Sequence, residues 1–212
     1  MKVGFVSKTE SHIPGAETAE DLIAFCARVS NPGNQHNTDT APRLLKYLIK
    51  SKHWSPFEMV NMCVSIETSR AIAAQILRHR SFSFQEFSQR YAAVGEDMVE
   101  PVEIRMAGST NRQSSTEVTT DSDGQVNAIV ASCFDTYQDL IDNGVATETA
   151  RMVLPLCTRT KLYMNGTLRS WVHYLEQRCD EHTQKEHRAI ACGIRDILKH
   201  EFPTVYEAVF GE

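Results

Sequence analysis

The sequence predicts an α+β fold, a mixed sheet flanked by helices in a single domain spanning residues 1–212, and three observations predict it. Val126, Ile129, Val130, Cys133, Phe134, Tyr137, Leu140 and Ile141 recur at helical spacing, the pattern of a helix lying on a core, and Asn143-Gly144 stops it. Val60, Met62, Val64 and Ile66 alternate instead, the period of a strand with one buried face. Helical and strand patterns succeed one another without regular βαβ alternation, which favours α+β over a doubly wound sheet. With 212 residues, 42% hydrophobic and 23% charged, the chain can enclose one sizeable core.

The elements follow in order. Lys2 to Ser7 reads as a short strand. Thr18 or Glu20 opens a helix through Val29, with Leu22, Ile23, Cys26 and Ala27 on one stripe. Asn31-Pro32-Gly33-Asn34 is a turn. Asp39 or Thr40 caps the next helix, with Pro42 in its first turn and Leu44, Leu45, Tyr47 and Leu48 inside. Phe57 to Ile66 reads as a strand. Thr68 or Ser69 then starts a helix through about His79, which would set Gln75 and His79 one turn apart on one face. Val99 to Met106 alternates as a strand. Gly108 to Gly124, with eight Ser or Thr, reads as a long loop. Thr147 to Val153 is a short helix ended by Pro155, and Thr158 to Met164 a strand. Asn165 or Thr167 caps a helix to about Gln177, and His182 to Phe202 forms the last helix.

Charge narrows the function classes. Of the formal net charge of −5, residues 78–91 carry +2 and residues 151–178 carry +4, so the remainder carries −11. Positive charge gathered into two segments of an acidic chain suits a small anionic ligand and not a nucleic-acid polymer. The six cysteines (26, 63, 133, 157, 179 and 192) show neither CxxC pairing nor zinc spacing, so they read as reduced, mostly buried thiols of a cytoplasmic protein without a metal centre. No signal peptide is visible, and apolar runs such as Leu22 to Ala27 are too short to span a bilayer. The expectation is a soluble, intracellular protein with no membrane partner.

The chemistry concentrates in Arg78 to Tyr91, R-H-R-S-F-S-F-Q-E-F-S-Q-R-Y. Its three arginines and His79 share fourteen positions with one carboxylate, Glu86, and the hydroxyls of Ser81, Ser83 and Ser88. Guanidinium forks suit phosphates and carbonyl oxygens and keep their charge at any working pH. A single-stranded nucleic-acid binder would use the same Arg and Phe types, but the acidic remainder counts against it. Further on, Arg169 and His173 lie four apart on one helix face. Arg178 is nine residues from Arg169, about 900° of rotation, so either the helix ends first or the two arginines serve different ligands. His182 and His187 are five apart, the wrong spacing for a helical metal pair, and read as surface residues.

R-H-R followed by seven residues and Ser88, then Arg90 and Tyr91, resembles the signature of the flavin-dependent thymidylate synthases. His53-Trp54-Ser55-Pro56-Phe57-Glu58 is similar to a second family element, and Gln75 stands where the family has a nucleotide-binding glutamine. Ala150-Arg151-Met152-Val153-Leu154-Pro155 and the region Arg169 to His182 follow in family order. The likeness runs from about Cys26 to the C-terminal helix.

The resemblance implies a methyltransferase that moves a one-carbon unit from 5,10-methylenetetrahydrofolate to carbon 5 of the uracil in dUMP, giving dTMP. NADPH would supply electrons through FAD, and the enzyme would be a homotetramer whose active sites are shared between subunits. By the same resemblance His53, Ser55, Arg78, His79, Arg80, Glu86, Arg169, His173 and His182 would face FAD. Gln75, Glu86, Ser88, Gln89, Arg90, Arg151 and Arg178 would face dUMP, with Arg178, Ser88 and Glu86 closest to the chemistry. His173 stands where an Asn is more usual, and its charge would follow pH. Ser88 has the motif position of a nucleophile, but no base has an assured place beside it, so it reads as a hydrogen-bonding ligand. None of the cysteines lies in these motifs, which fits a mechanism without a cysteine nucleophile.

Overall fold

The computed structural model of the protein describes residues 1–95, 98–109, 115–118 and 123–211. In chain order the elements are β1 (Lys2–Lys8), α1 (Ala19–Ala27), α2 (Ala41–Lys50), β2 (Asn61–Ser69), α3 (Arg70–Ile76), β3 (Ser83–Glu86), β4 (Arg105–Ala107) and β5 (Ser115–Val118). There follow α4 (Asp123–Asp142), α5 (Thr147–Ala150), β6 (Arg159–Thr167), α6 (Leu168–Arg178), α7 (Lys185–Glu201) and α8 (Pro203–Phe210). Polar caps set several helix starts. Thr18 and Asp21 form a reciprocal capping box at α1, and the hydroxyls of Ser69 and Thr167 accept from the first turns of α3 and α6.

Four strands form one sheet in the order β1-β2-β6-β3. Every neighbouring pair runs antiparallel. Thr9 N donates to Asn61 O while Ser65 Oγ reaches Gly4 O, so β1 and β2 count in opposite directions. Arg70 N donates to Thr158 O and Leu168 N to Val60 O, the same relation for β2 and β6. Phe87 N donates to Lys161 O while the Phe82 ring faces Gly166, so β3 also opposes β6. The mixed sheet expected from the sequence is thus an antiparallel one. Cross-strand partners such as Lys161 and Glu67, 3.4 Å apart, meet only in this register.

By its contacts the chain divides into two compact units. One comprises Met1, Glu67–Arg78 and Glu86–Leu162; the other comprises Lys2–Ile66, His79–Gln85 and Tyr163–Glu212. In the second unit, Val60, Met62, Val64 and Ile66 are fully buried, as their alternation predicts. The Trp171 indole joins them and donates to Met62 O at 2.9 Å. Helix α7 lies close on β1: a Cβ on Gly193 would stand 2.7 Å from Val3 Cγ2, so glycine permits the approach. In the first unit Val94, Phe134, Tyr137 and Ala150 form a small core under α4, and Tyr137 Oη accepts from Val94 N at 3.1 Å. Of the α4 stripe, Phe134 and Tyr137 are core, as the periodicity predicts, and Val130, Leu140 and Ile141 pack partly buried against them, whereas Ile129 is 63% exposed.

Several boundaries differ from the sequence reading, each for a local reason. Residues Ser55–Glu58 form a 3₁₀ turn, with Pro56 in its first positions, so β2 starts only at Asn61. Helix α3 stops at Ile76, and Arg78-His79-Arg80 lie in the turn beyond it, so Gln75 and His79 do not share a helix face. The expected strand Val99 to Met106 reduces to a bridge from Val99 to Thr158 and the short β4. The expected loop Gly108 to Gly124 contains β5, paired with β4, and the start of α4; residues 110–114 and 119–122 lie outside the described residues. β3 went unpredicted, although Ser-Phe-Ser-Phe alternates. α8 adds a helix after Phe202, where Pro203 opens a new first turn.

Candidate active site

The turn carrying His79 is held by aromatic packing in the second unit. Phe82 packs edge-on against Trp171 at 4.6 Å and lies over Gly166, where a Cβ would fall 2.4 Å from the ring. This docking brings His79 to the C-terminal end of α6. There Arg178 Nε donates to His79 Nε2 at 3.0 Å. A guanidinium only donates, so Nε2 must be the acceptor and the neutral ring carries its proton on Nδ1. Burial, and then the Arg178 charge, hold the His79 pKa below the usual histidine value.

His79, Ser81, Phe82, Ser170, His173, Tyr174, Glu176 and Gln177 line a cleft of about 460 Å³. Behind it Tyr174 Oη and His187 Nε2 are 3.0 Å apart, with both side chains buried. Burial, followed by the Arg178 and His79 charges, pushes the His187 pKa down to about 4, and burial raises that of Tyr174. His187 is therefore not the surface residue its sequence context predicts: the helix face that carries it also carries Ile190, Ala191 and Ile194. Cys179, next to Arg178, is pushed up to about 12 by burial and then by Cys192, so it stays a thiol.

A second cleft, of about 230 Å³ and wholly in the first unit, is lined by Arg70, Glu86, Phe87, Ser88, Gln89, Arg151 and Thr160. Four of these, Glu86, Ser88, Gln89 and Arg151, are substrate-side residues in the sequence reading. Arg70 and Thr160 are additions. The Arg70 guanidinium donates to Gln89 Oε1, which leaves the buried Gln89 Nε2 without a partner among the described residues. Thr160 Oγ1 donates to Glu86 Oε1 at 3.0 Å. Arg70 opens α3 and Thr160 takes a buried alternating position of β6, but nothing in their sequence context marks them as site residues.

The other candidates stand outside both clefts. Arg90 pairs with Glu148 at 3.1 Å, and Arg169 with Glu58 at 2.5 Å. Arg78 and Arg80 are exposed and have no ion pair with the described residues. Gln75 is half-buried; His53 and Ser55 are exposed, and the His53 ring stands 6.3 Å from that of Tyr47. Trp54 bridges this segment to the first-described cleft, its ring 5.1 Å from His173. His182 is exposed and bonded to Asp180 at 2.7 Å, a bond that raises its pKa. Among the described residues no cluster of His, Cys, Asp and Glu could hold a metal ion, and no helix is long and apolar enough to cross a membrane.

Comparison with known proteins meets this geometry from outside. Residues 13–204 match the family described as Thymidylate synthase complementing protein. A probable flavin-dependent thymidylate synthase of Paramecium bursaria Chlorella virus 1 is 45% identical over 99% of both chains. The flavin-dependent thymidylate synthase of Synechocystis is 48% identical, again over 99% of both chains. Among solved structures, a UMP/dUMP methylase, PolB from Streptomyces cacaoi bound with 5-Br dUMP, superposes with a TM-score of 0.80 at 26% identity. That match covers 98% of this chain and 93% of the other.

Proposed function

The chain belongs to the Thymidylate synthase complementing protein family, the flavin-dependent thymidylate synthases, and we propose that it methylates dUMP to dTMP. In this reading 5,10-methylenetetrahydrofolate donates the carbon and NADPH the electrons, with FAD as the bound cofactor. One observation carries it: four residues that the family resemblance assigns to the substrate line a single cleft.

The residues present fit a flavin dinucleotide. Arg78 and Arg80 are exposed guanidiniums without a carboxylate among the described residues, the donors a pyrophosphate needs. His79, Phe82 and His173 give the larger cleft rings and polar edges against which a flat heterocycle can lie. The flavin, when bound, supplies the redox capacity that the side chains lack. Arg78, Arg80 and His53 would hold it, with Ser55, Arg169, His173, His182 and Glu86 at its edges.

The side chains do the rest by position and charge. Electron density added to uracil collects on its carbonyl oxygens, and a guanidinium held away from bulk water stabilises that charge. The family resemblance assigns this role and the phosphate clamp to Arg178 and Arg151, and assigns Arg90 and Gln75 to the same substrate. Ser88 and Gln89 supply hydrogen bonds, and Glu86, fixed by Thr160, takes the acceptor role. Neither cleft contains all the residues assigned to one ligand, and Tyr91, Met152 and Leu156 are 94%, 79% and 70% exposed. Both facts suit a homotetramer in which subunits complete one another's sites. The six cysteines are half-buried and not mostly buried as their residue type predicts, and unpaired thiols suit a cytoplasmic enzyme.

Anaerobic incubation with dUMP, methylenetetrahydrofolate and NADPH should yield dTMP from protein that shows oxidised-flavin absorption. Protein that neither shows those bands nor binds added FAD would refute the reading. Mixing inactive Arg178→Ala and Arg80→Ala chains should restore part of the activity if sites are shared. An active monomer in light scattering would refute the assembly.

A further inference from the structure

Tyr174 and His187 are 2% and 1% exposed, so neither can reach a ligand in the open cleft with more than an edge. Their hydrogen bond of 3.0 Å satisfies two polar groups that would be costly to bury alone. Both rings stand edge-on to His79, Tyr174 at 4.9 Å and 80°, His187 at 6.2 Å and 83°. Edge-to-face contacts with these two neighbouring rings fix the plane of the His79 ring. That plane decides where the Nε2 lone pair points, and this lone pair accepts from Arg178 Nε. The guanidinium is rigid and planar, so tying Nε commits its two terminal amino groups to one direction. Tyr174 and Arg178 are four apart on α6, on the same face, and α7 supplies His187 behind them.

We infer that Tyr174 and His187 are positioning residues: acting through His79, they aim Arg178 at the anionic pyrimidine nucleotide and so set the affinity of the site. The inference rests on the reading that Arg178 binds dUMP. A pair that merely fills the core would stabilise the protein without any coupling to Arg178.

A double-mutant cycle on the FAD-loaded protein separates the two roles, with dUMP binding measured calorimetrically. Tyr174→Phe deletes one hydroxyl and keeps the ring. It should weaken dUMP binding about three- to tenfold and leave flavin content unchanged. Arg178→Lys keeps a cation but has no Nε–H to tie. In that background Tyr174→Phe should change dUMP affinity by less than about twofold. His187→Gln, which retains a hydrogen-bonding group, should stay close to wild type, whereas His187→Leu should match Tyr174→Phe. Equal weakening by Tyr174→Phe in both backgrounds, or no weakening in the wild-type background, would overturn the inference while leaving the function standing. Wild-type holoprotein that takes up no dUMP would overturn both.

Discussion

Arg178 and Arg90 are both substrate-side cations by family resemblance, yet the protein holds them in opposite ways. Arg178 is half-buried and donates to a neutral acceptor, His79 Nε2. Its orientation is fixed while its charge remains uncompensated. Arg90 has a side chain 65% exposed, 3.1 Å from the carboxylate of Glu148. An exposed pair of this kind contributes little, and an anionic ligand has to compete with Glu148 for the same donor. Arg70, held by the Gln89 amide, follows the first pattern; Arg169, held by Glu58, follows the second. The partner of a guanidinium, more than its place in a motif, decides how much of its charge a ligand can use.

If ring packing is what orients Arg178, removing Phe82 should make that arginine as loose as Arg90. Phe82→Ala empties a buried site, a change that typically costs about 3–5 kcal/mol. Thermal unfolding should shift down accordingly, and dUMP affinity should fall with it. An unshifted melting curve would break the comparison at its base.

The neutral acceptors should also give the α6–α7 region an acid-labile stability that the Arg90 region lacks. His187 has its pKa lowered to about 4, so the folded state disfavours its protonation. The contribution is fully present above the unfolded value, about 6.5, and is lost as pH falls through the window between about 6.5 and 4. Over that whole window the loss reaches at most about 3 kcal/mol. His187→Leu should therefore flatten the slope of melting temperature against pH between 7 and 5. An identical slope in the variant would show that His187 is not held neutral.

Ser88 lines the smaller cleft without an imidazole or carboxylate hydrogen-bonded to it among the described residues. Ser88→Ala should lower turnover only about three- to tenfold, the value of one hydroxyl bond at about 0.5–1.5 kcal/mol. A variant that binds FAD and dUMP yet forms no product would make the serine a nucleophile instead. Smallest of all is Glu148→Ala. Freeing Arg90 from its carboxylate should tighten dUMP by no more than about fivefold, and weaker binding would show that Glu148 helps the site.

The sequence carried the fold wherever one periodicity ruled a whole element, as in α4 and along the buried face of β2. It failed where tertiary contacts cut an element short. The helical pattern runs to about His79, whereas α3 ends at Ile76 and Phe82, six residues on, packs on Trp171 and over Gly166, partners that no local pattern announces. Glu86, Ser88, Gln89 and Arg151 could be singled out because they sit in motifs, and the fold brings all four to one cleft. His187 was misread because a histidine among charged neighbours looks solvated, and only the partner on α6 shows otherwise. Arg70 and Thr160 were invisible for the same reason, since their roles are defined by Gln89 and Glu86 across the fold.

A guanidinium tied to a neutral acceptor gives the ligand more of its charge than one paired with a carboxylate. Calorimetric titration of dUMP into FAD-loaded Arg178→Ala and into Arg90→Ala/Glu148→Ala tests it directly, the double variant ensuring that Glu148 is not left bare. Arg178→Ala removes charge-assisted bonds of about 1.5–3 kcal/mol each and should weaken binding about 10- to 150-fold. The double variant should stay within about fivefold of wild type. Equal losses, or a larger loss in the Arg90 variant, would contradict the account.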